Sequence, residues 1–347
     1  MLLQRRGQVS GSETITLSEA EHLSRRALMA GGTSEENAKI VAAALVAAEA
    51  DGQKGHGLSR VASYAAQVKS GKVDGKATPK VEVLSGGAVR IDAGAGFAFP
   101  ALQRAHKELR RMVGDSVVAV AGIHHSHHFG QAGYHVESLA ERNLVALMVG
   151  NSPQAMAPWG GRRGIFGTNP IAFAAPRKDH PPLVIDLSLS KVARGKVMAA
   201  GKAGEKIPEG WALDPEGNPT TDPEAALAGT MIPMGDAKGA ALALMVEILS
   251  ASLIGANHAF EASSFFTAEG PPPGVGQFLL AIDPGPLSGG SFAARLEILL
   301  AALEEQAGAR LPGSRRLAAR EKAARDGIEV PLVLLKEIRE LAGHPPG

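Results

Sequence analysis

No cysteine occurs anywhere in the 347 residues. That excludes disulfides, thiolate nucleophiles and cysteine-ligated zinc, and the usage fits a reducing compartment, so a cytoplasmic location is expected. An excess of one charge is also missing. The 36 Lys+Arg and 35 Asp+Glu leave a formal net charge of +1, so no global field draws the chain to nucleic acid or to a membrane surface. Long hydrophobic runs are absent too. The most apolar segment, 239–257, is rich in Ala and Ser and interrupted by Glu247, and reads as a buried core helix rather than a span. The opening Met1-Leu-Leu-Gln-Arg-Arg-Gly7 has no apolar core of a signal peptide. Two nucleotide-binding signatures are incomplete. Asp92-Ala-Gly-Ala-Gly-Phe97 has Phe99 where a third glycine should stand and no acidic residue ending a following strand, so it reads as a tight turn. Gly235-Asp-Ala-Lys-Gly239 lacks the spacing of an ATP-type loop.

What remains is an ordinary soluble composition, 45% hydrophobic and 20% charged, on a chain long enough for two domains. Its least ordinary stretch is Gly122-Ile-His-His-Ser-His-His-Phe-Gly-Gln-Ala-Gly-Tyr-His135, which holds five of the 11 histidines. An apolar run, 116–122, precedes it as a buried strand and a helical pattern, 134–143, follows. The histidines are therefore expected on a strand-to-helix loop, where α/β proteins place chemistry. Imidazole exchanges protons near neutral pH, so an acid–base role follows for at least one of them. No metal site is expected. His124, His125, His127 and His128 are crowded rather than spaced i, i+4, and no cysteine completes a ligand set.

Helical patterns cluster at the two ends. A capping box at Ser18–Glu21 opens one helix, Thr33–Glu36 opens a second ending near Asp51-Gly52, and a third runs from Ser59 to Lys69. Residues 1–15 read as a polar, frayed start. Strands are expected at 81–84 and 88–91 (a hairpin), 116–122, 144–149, 171–174, 183–185 and 278–282, alternating with helices at α/β spacing. A helix is expected from Ser188 to Ala200, and 205–223 reads as an excursion without a core pattern. Two helical stretches, 315–325 and 330–341, close the chain. The ends are expected to pack together as a mainly helical domain, 1–112 with 313–347, around an α/β domain, 113–312.

Several residues then stand out as candidates. His56 lies on a glycine-flanked turn, with Arg60 just inside the next helix, and a guanidinium forks onto a small carboxylate. Tyr64 shares the Arg60 face at i+4, where core packing also explains it. Asp186-Leu-Ser188 ends a strand, where Asp186 either caps a helix or exposes N–H groups to a ribose or phosphate. Lys238-Gly239 opens a helix, and Thr168 lies in the Gly167–Pro170 turn. These residues define a soluble α/β enzyme without defining its reaction.

His56-Gly-Leu-Ser-Arg60, His128-Phe-Gly-Gln-Ala-Gly-Tyr134, Gly167–Pro170, Ile185–Ser188 with Gly195-Lys196, Gly235–Gly239 and Leu311-Pro-Gly313 together resemble the type-2 malate/L-lactate dehydrogenase family over residues 16 to 340. That family also contains ureidoglycolate, sulfolactate and diketogulonate oxidoreductases and cyclic imino-acid reductases. The resemblance implies a three-layer α/β/α fold with a mixed, non-Rossmann sheet. It implies NAD- or NADP-dependent hydride transfer on a small 2-hydroxy or 2-oxo acid, in a homodimer with its active site between domains. It also implies His128 and His56 as catalytic residues, Arg60, Thr168 and Tyr64 as substrate contacts, and Ser152, Asp186, Leu187, Ser188, Lys238 and Gly239 as cofactor contacts. Two positions depart from the pattern. Gly55 stands where a serine usually precedes the first histidine, and Lys196 stands where imino-acid reductases carry an aspartate. Both departures favour 2-oxo-acid chemistry over imino-acid reduction. The non-catalytic alternative is a relative that binds NAD(P) without turnover.

Overall fold

The structure, a computed structural model, describes residues 11–343. The first ten residues of the expected frayed start lie outside that range. At its end, Ser12–Ile15 forms strand β1, which pairs antiparallel with 328–331 near the other terminus. Helix α1 (Leu17–Ala30) is capped by Thr16, whose hydroxyl accepts the Glu19 N–H at 3.1 Å, so the capping box sits two residues earlier than Ser18. Helix α2 (Glu35–Ala50) is capped by Ser34. Two 3-10 turns, Lys54–His56 and Leu58–Arg60, then lead into α3 (Val61–Lys69).

The hairpin β2 (Lys80–Ser85) and β3 (Ala88–Asp92) precedes α4 (Ala98–Ser116), β4 (Val118–Ser126), α5 (Ala132–Ala140), β5 (Val145–Gly150), β6 (Ile171–Ala175) and β7 (Leu183–Leu187). Next come α6 (Arg194–Ala203), β8 (Ala212–Leu213), β9 (Pro219–Thr220), α7 (Pro223–Ala228), β10 (Thr230–Met231), α8 (Ala237–Glu247) with a π-helical turn at 248–252, and β11 (Val275–Ile282). The chain ends with α9 (Pro284–Ser288), α10 (Phe292–Glu304), α11 (Ser314–Asp326), β12 (Ile328–Pro331) and α12 (Leu332–Leu341).

Seven strands form one sheet in the order β2-β3-β4-β11-β5-β6-β7, in which β3–β4 is the parallel pair and the other pairs are antiparallel. Its two faces are covered separately. Ala119, Ala121, Ile123, Met148, Ala172 and Leu279 pack with α4 and α5. Leu147, Val149 and Phe278 pack with Ala243 and Val246 of α8. The mixed α/β/α sandwich is therefore as expected. A third core joins α1, α2, α3 and α12 with Ile328 and Val330. The sheet itself begins at β2, and residues 112 and 113 lie within α4.

Three other expectations are corrected. The helix expected from Ser188 begins at Arg194, because β7 runs on to Leu187 and Ser188–Ser190 forms a serine turn. The 205–223 excursion contains β8 and β9, which join β10 in a three-stranded sheet. The apolar segment 239–257 is not buried throughout, since Leu242, Leu244, Met245 and Ile248 are exposed. No helix among the described residues is long and apolar enough to cross a membrane.

Candidate active site

Strand β4 extends to Ser126, so His124 and His125 belong to the strand and only His127 and His128 lie on the loop. His128 is buried at the meeting point of two chain segments. Its Nε2 lies 3.1 Å from Nδ1 of His56, with the two rings stacked at 13°. Its Nδ1 meets the Tyr64 hydroxyl at 2.5 Å. Tyr64, expected as a substrate contact, is fully buried with its hydroxyl directed to His128. Burial pushes the Tyr64 hydroxyl above its ordinary range. Burial, and then the nearby Arg60 charge, lowers His56 to about 4 and holds His128 well below a normal imidazole. Nε2 of His56 has no hydrogen bond among the described residues.

The turn that carries His56 depends on Gly57. A Cβ there would lie 2.2 Å from Oε2 of Glu49, which accepts the Leu58 N–H at 2.9 Å. Glycine thus allows the buried Glu49 carboxylate, itself raised by burial, to hold the turn against α2. Gly55 is different, because a Cβ at that position meets nothing within 4 Å. Packing therefore does not explain the missing serine. Arg60 donates from Nε to the Gly55 carbonyl at 2.8 Å, and its guanidinium lies 4.6 Å above the Phe266 ring. Its Nη groups find no protein acceptor among the described residues and remain available for an anion.

The candidate cofactor residues form a neighbouring ledge. Ser152 Oγ accepts the Thr168 N–H at 3.1 Å, with the two hydroxyls 3.4 Å apart. Backbone bonds then run from Leu189 N to Thr168 O and from Met234 N to Leu189 O, aligning the loops that hold Ser152, Thr168, Ser188 and Lys238. Asp186 lies within β7 and starts no helix of its own. Its Oδ2 accepts Gly133 N–H at 2.7 Å, in the first turn of α5. Leu187 ends β7 beside it. Lys238 is exposed, whereas Gly239 is buried against Met234 O, where a Cβ would sit at 1.9 Å. No hydrogen bond among the described residues joins this ledge to the histidine pair.

Sequence reasoning missed the residues that hold these parts in place. Glu247, visible only as an interruption, accepts from Asn151 at 3.2 Å and Asn169 at 2.9 Å, the neighbours of Ser152 and Thr168. Asp51 and Glu137 form a buried network with Arg316 and Arg320, which Gln131 joins through a 2.6 Å bond to Asp51. Lys72 and Gln67 clamp the 264–269 loop, whose Phe265 packs 5.2 Å from both His127 and His128. Nothing in their local sequence marks these residues, because their partners are tens to hundreds of positions away.

A family model described as malate/L-lactate dehydrogenase matches residues 15–339. The chain is 54% identical, over 95% of its length and 98% of the relative's, to a (2R)-3-sulfolactate dehydrogenase (NADP(+)) of Chromohalobacter salexigens. It is 40% identical, over 95% and 97% of the two lengths, to a Δ1-pyrroline-2-carboxylate/Δ1-piperideine-2-carboxylate reductase of Pseudomonas putida. Among solved structures, the Δ1-piperideine-2-carboxylate reductase of Pseudomonas syringae superposes with a TM-score of 0.89 at 40% identity, covering 95% of this chain and 99% of that one. The chain belongs to the malate/L-lactate dehydrogenase family and is an NAD(P)-dependent oxidoreductase.

Proposed function

We propose that this oxidoreductase interconverts a small 2-oxo acid and its 2-hydroxy acid, and that the acid is a sulfonated one of the sulfolactate type. The observation that carries the reading is the Tyr64–His128–His56 chain beside the unengaged Nη groups of Arg60. Arg60 forks onto the substrate carboxylate. His56 donates from Nδ1 to Nε2 of His128, and His128 donates from Nδ1 to the Tyr64 oxygen. This leaves a lone pair on Nε2 of His56. That nitrogen takes the hydroxyl proton of the 2-hydroxy acid and returns it to the forming alkoxide in the reduction. His128, held far below an ordinary imidazole, does not draw the proton away from His56. A bound carboxylate offsets the Arg60 charge that lowers His56, so protonation becomes easier once substrate is present.

The donor set of the ledge fits a nicotinamide dinucleotide. The Ser152 and Thr168 hydroxyls, the Asp186–Ser188 segment and the exposed Lys238 beside Gly239 would hold its riboses and phosphates. When bound, its reduced nicotinamide supplies the hydride. The sulfonated substrate is supported by the 54% identical relative. Lys196, an exposed cation without an ion pair among the described residues, stands where imino-acid reductases carry an aspartate and counts against the imino-acid reading. A homodimer belongs to the same reading, with the exposed Leu242, Leu244, Met245 and Ile248 as the face it would cover. Cyclic imino-acid reduction is the second reading, favoured by the 40% identical reductase.

Oxidation of NADPH and of NADH should be followed with sulfopyruvate, pyruvate, oxaloacetate and Δ1-piperideine-2-carboxylate. The highest kcat/KM is expected with sulfopyruvate. Turnover confined to the imino acid would replace the 2-oxo-acid reading, and cofactor binding without any turnover would remove both.

A further inference from the structure

Away from the His56–His128 pair, three ligand side chains converge where two parallel strands end. Asp92 is the last residue of β3 and pairs in register with His124 of β4. Successive strand residues ordinarily point to opposite faces. His125 instead has φ 47°, and its ring centroid comes within 4.4 Å of that of His124. One nitrogen of each ring and one Asp92 oxygen all lie within 4.8 Å of one another. Asp92 is already oriented, since its Oδ1 accepts from Gly94 N at 2.8 Å and lies 3.0 Å from His125 Nδ1. His124 is only 6% exposed, yet its Nδ1 has no hydrogen-bond partner. A buried polar atom left without a partner is costly. Arg90, the nearest cation on β3, directs its guanidinium to the Ile254 carbonyl at 3.3 Å.

We propose that Asp92, His124 and His125 form a binding site for a divalent first-row transition metal ion, Zn²⁺ in particular. Two imidazoles and one carboxylate suit Zn²⁺, Ni²⁺, Cu²⁺ or Fe²⁺, whereas Mg²⁺ and Ca²⁺ prefer all-oxygen sets. Water completes the coordination, because His125 leaves the site open to solvent. The ion ties the end of β3 to the end of β4, three residues before His128. Its role is to position that strand end, not to take part in hydride transfer. Spacing among the histidines alone argues against a metal, because the third ligand comes from a strand more than thirty residues earlier in the chain.

The test uses the untagged, EDTA-stripped full chain, titrated calorimetrically with Zn²⁺, Co²⁺ and, as a control, Mg²⁺. One equivalent of Zn²⁺ is expected with a Kd on the order of 1 μM or tighter, with no uptake of Mg²⁺. Asp92→Asn keeps the Gly94 acceptor and His125→Ala changes an exposed ring, so both should fold and match the wild-type Tm in EDTA. Each should weaken Zn²⁺ at least tenfold and lose the Zn²⁺-dependent rise in Tm. His56→Ala, which removes the other histidine pair, should leave the affinity unchanged. Absence of stoichiometric binding, or binding weakened by His56→Ala but not by Asp92→Asn, overturns the proposal.

Discussion

At the scale of single residues, the proposed acid–base chemistry depends on one imidazole with a free nitrogen and another that orients it. His56 has the free Nε2, and His128 is enclosed by Tyr64, Phe265 and Phe129. His56→Ala removes the exchanging group and should lower kcat by about 10²–10⁴-fold. His128→Ala should lower it less, through misorientation of His56, and NADPH affinity measured by fluorescence should stay within about threefold in both. Wild-type kcat in His56→Ala would refute the assignment. Arg60→Lys loses the fork geometry and should raise KM for the acid with little change in kcat. The remaining histidines have other surroundings. His127 is 1% exposed in a box of Tyr64, Phe97 and Phe265, and burial holds it to about 3.

At the scale of elements, the site depends on a loop that contributes no chemistry. Lys72 donates to the carbonyls of Ser264, Thr267 and Glu269 at 2.6, 3.0 and 2.8 Å, and Gln67 to those of Phe265 and Thr267, both at 3.0 Å. These bonds fasten 264–269 to α3, the helix that follows Arg60, and to the turn after it, and so place Phe266 beneath the guanidinium. Lys72→Met leaves the Ser264 and Glu269 carbonyls unpaired, with Thr267 held by Gln67 alone, and loosens the loop. KM for the acid should rise about tenfold, corresponding to about 1.4 kcal/mol, while kcat changes little. Combining it with Arg60→Lys should be less than additive, because both act through the same platform. Strict additivity in that double-mutant cycle would sever the loop from Arg60.

At the scale of the molecule, buried charge joins the chain ends to the sheet layer. Burial alone would raise Asp51 and Glu137, but hydrogen bonds from Arg320 and Gln131 to Asp51, and from Arg316 and Arg320 to Glu137, reverse this and hold both below their usual range. Arg316→Met leaves the carboxylates undercompensated and should cost about 3–5 kcal/mol, read from denaturant unfolding. Acid sensitivity has a different source. Burial, the leading cause at each ring, holds His106 and His127 to about 3 and His135 to about 4, against an unperturbed 6.5. The unfolded chain therefore binds more protons below pH 6.5, so these rings contribute stability that is present above that pH and lost as pH falls toward 4. Each contributes a slope of up to about 1.4 kcal/mol per pH unit. Tm should drop steeply between pH 6.5 and 4, and a flat profile there would show that these rings are hydrated.

The sequence by itself determined most of the elements, the alternation that makes an α/β sandwich, the family motifs, and the candidacy of His56, His128 and Arg60. These are local properties, carried by periodicity, caps and short motifs that need no distant partner. Only the tertiary structure decided that the buried Tyr64 hydroxyl meets His128. It alone showed that Asp186 accepts the Gly133 N–H in the first turn of α5, and that Glu247 gathers Asn151 and Asn169. Asp92, too, meets His124 and His125 only once β3 lies beside β4. Each of these contacts satisfies a polar group, or assembles a ligand set, between residues far apart in the chain. Their pairing is fixed by packing, which spacing along the chain does not encode.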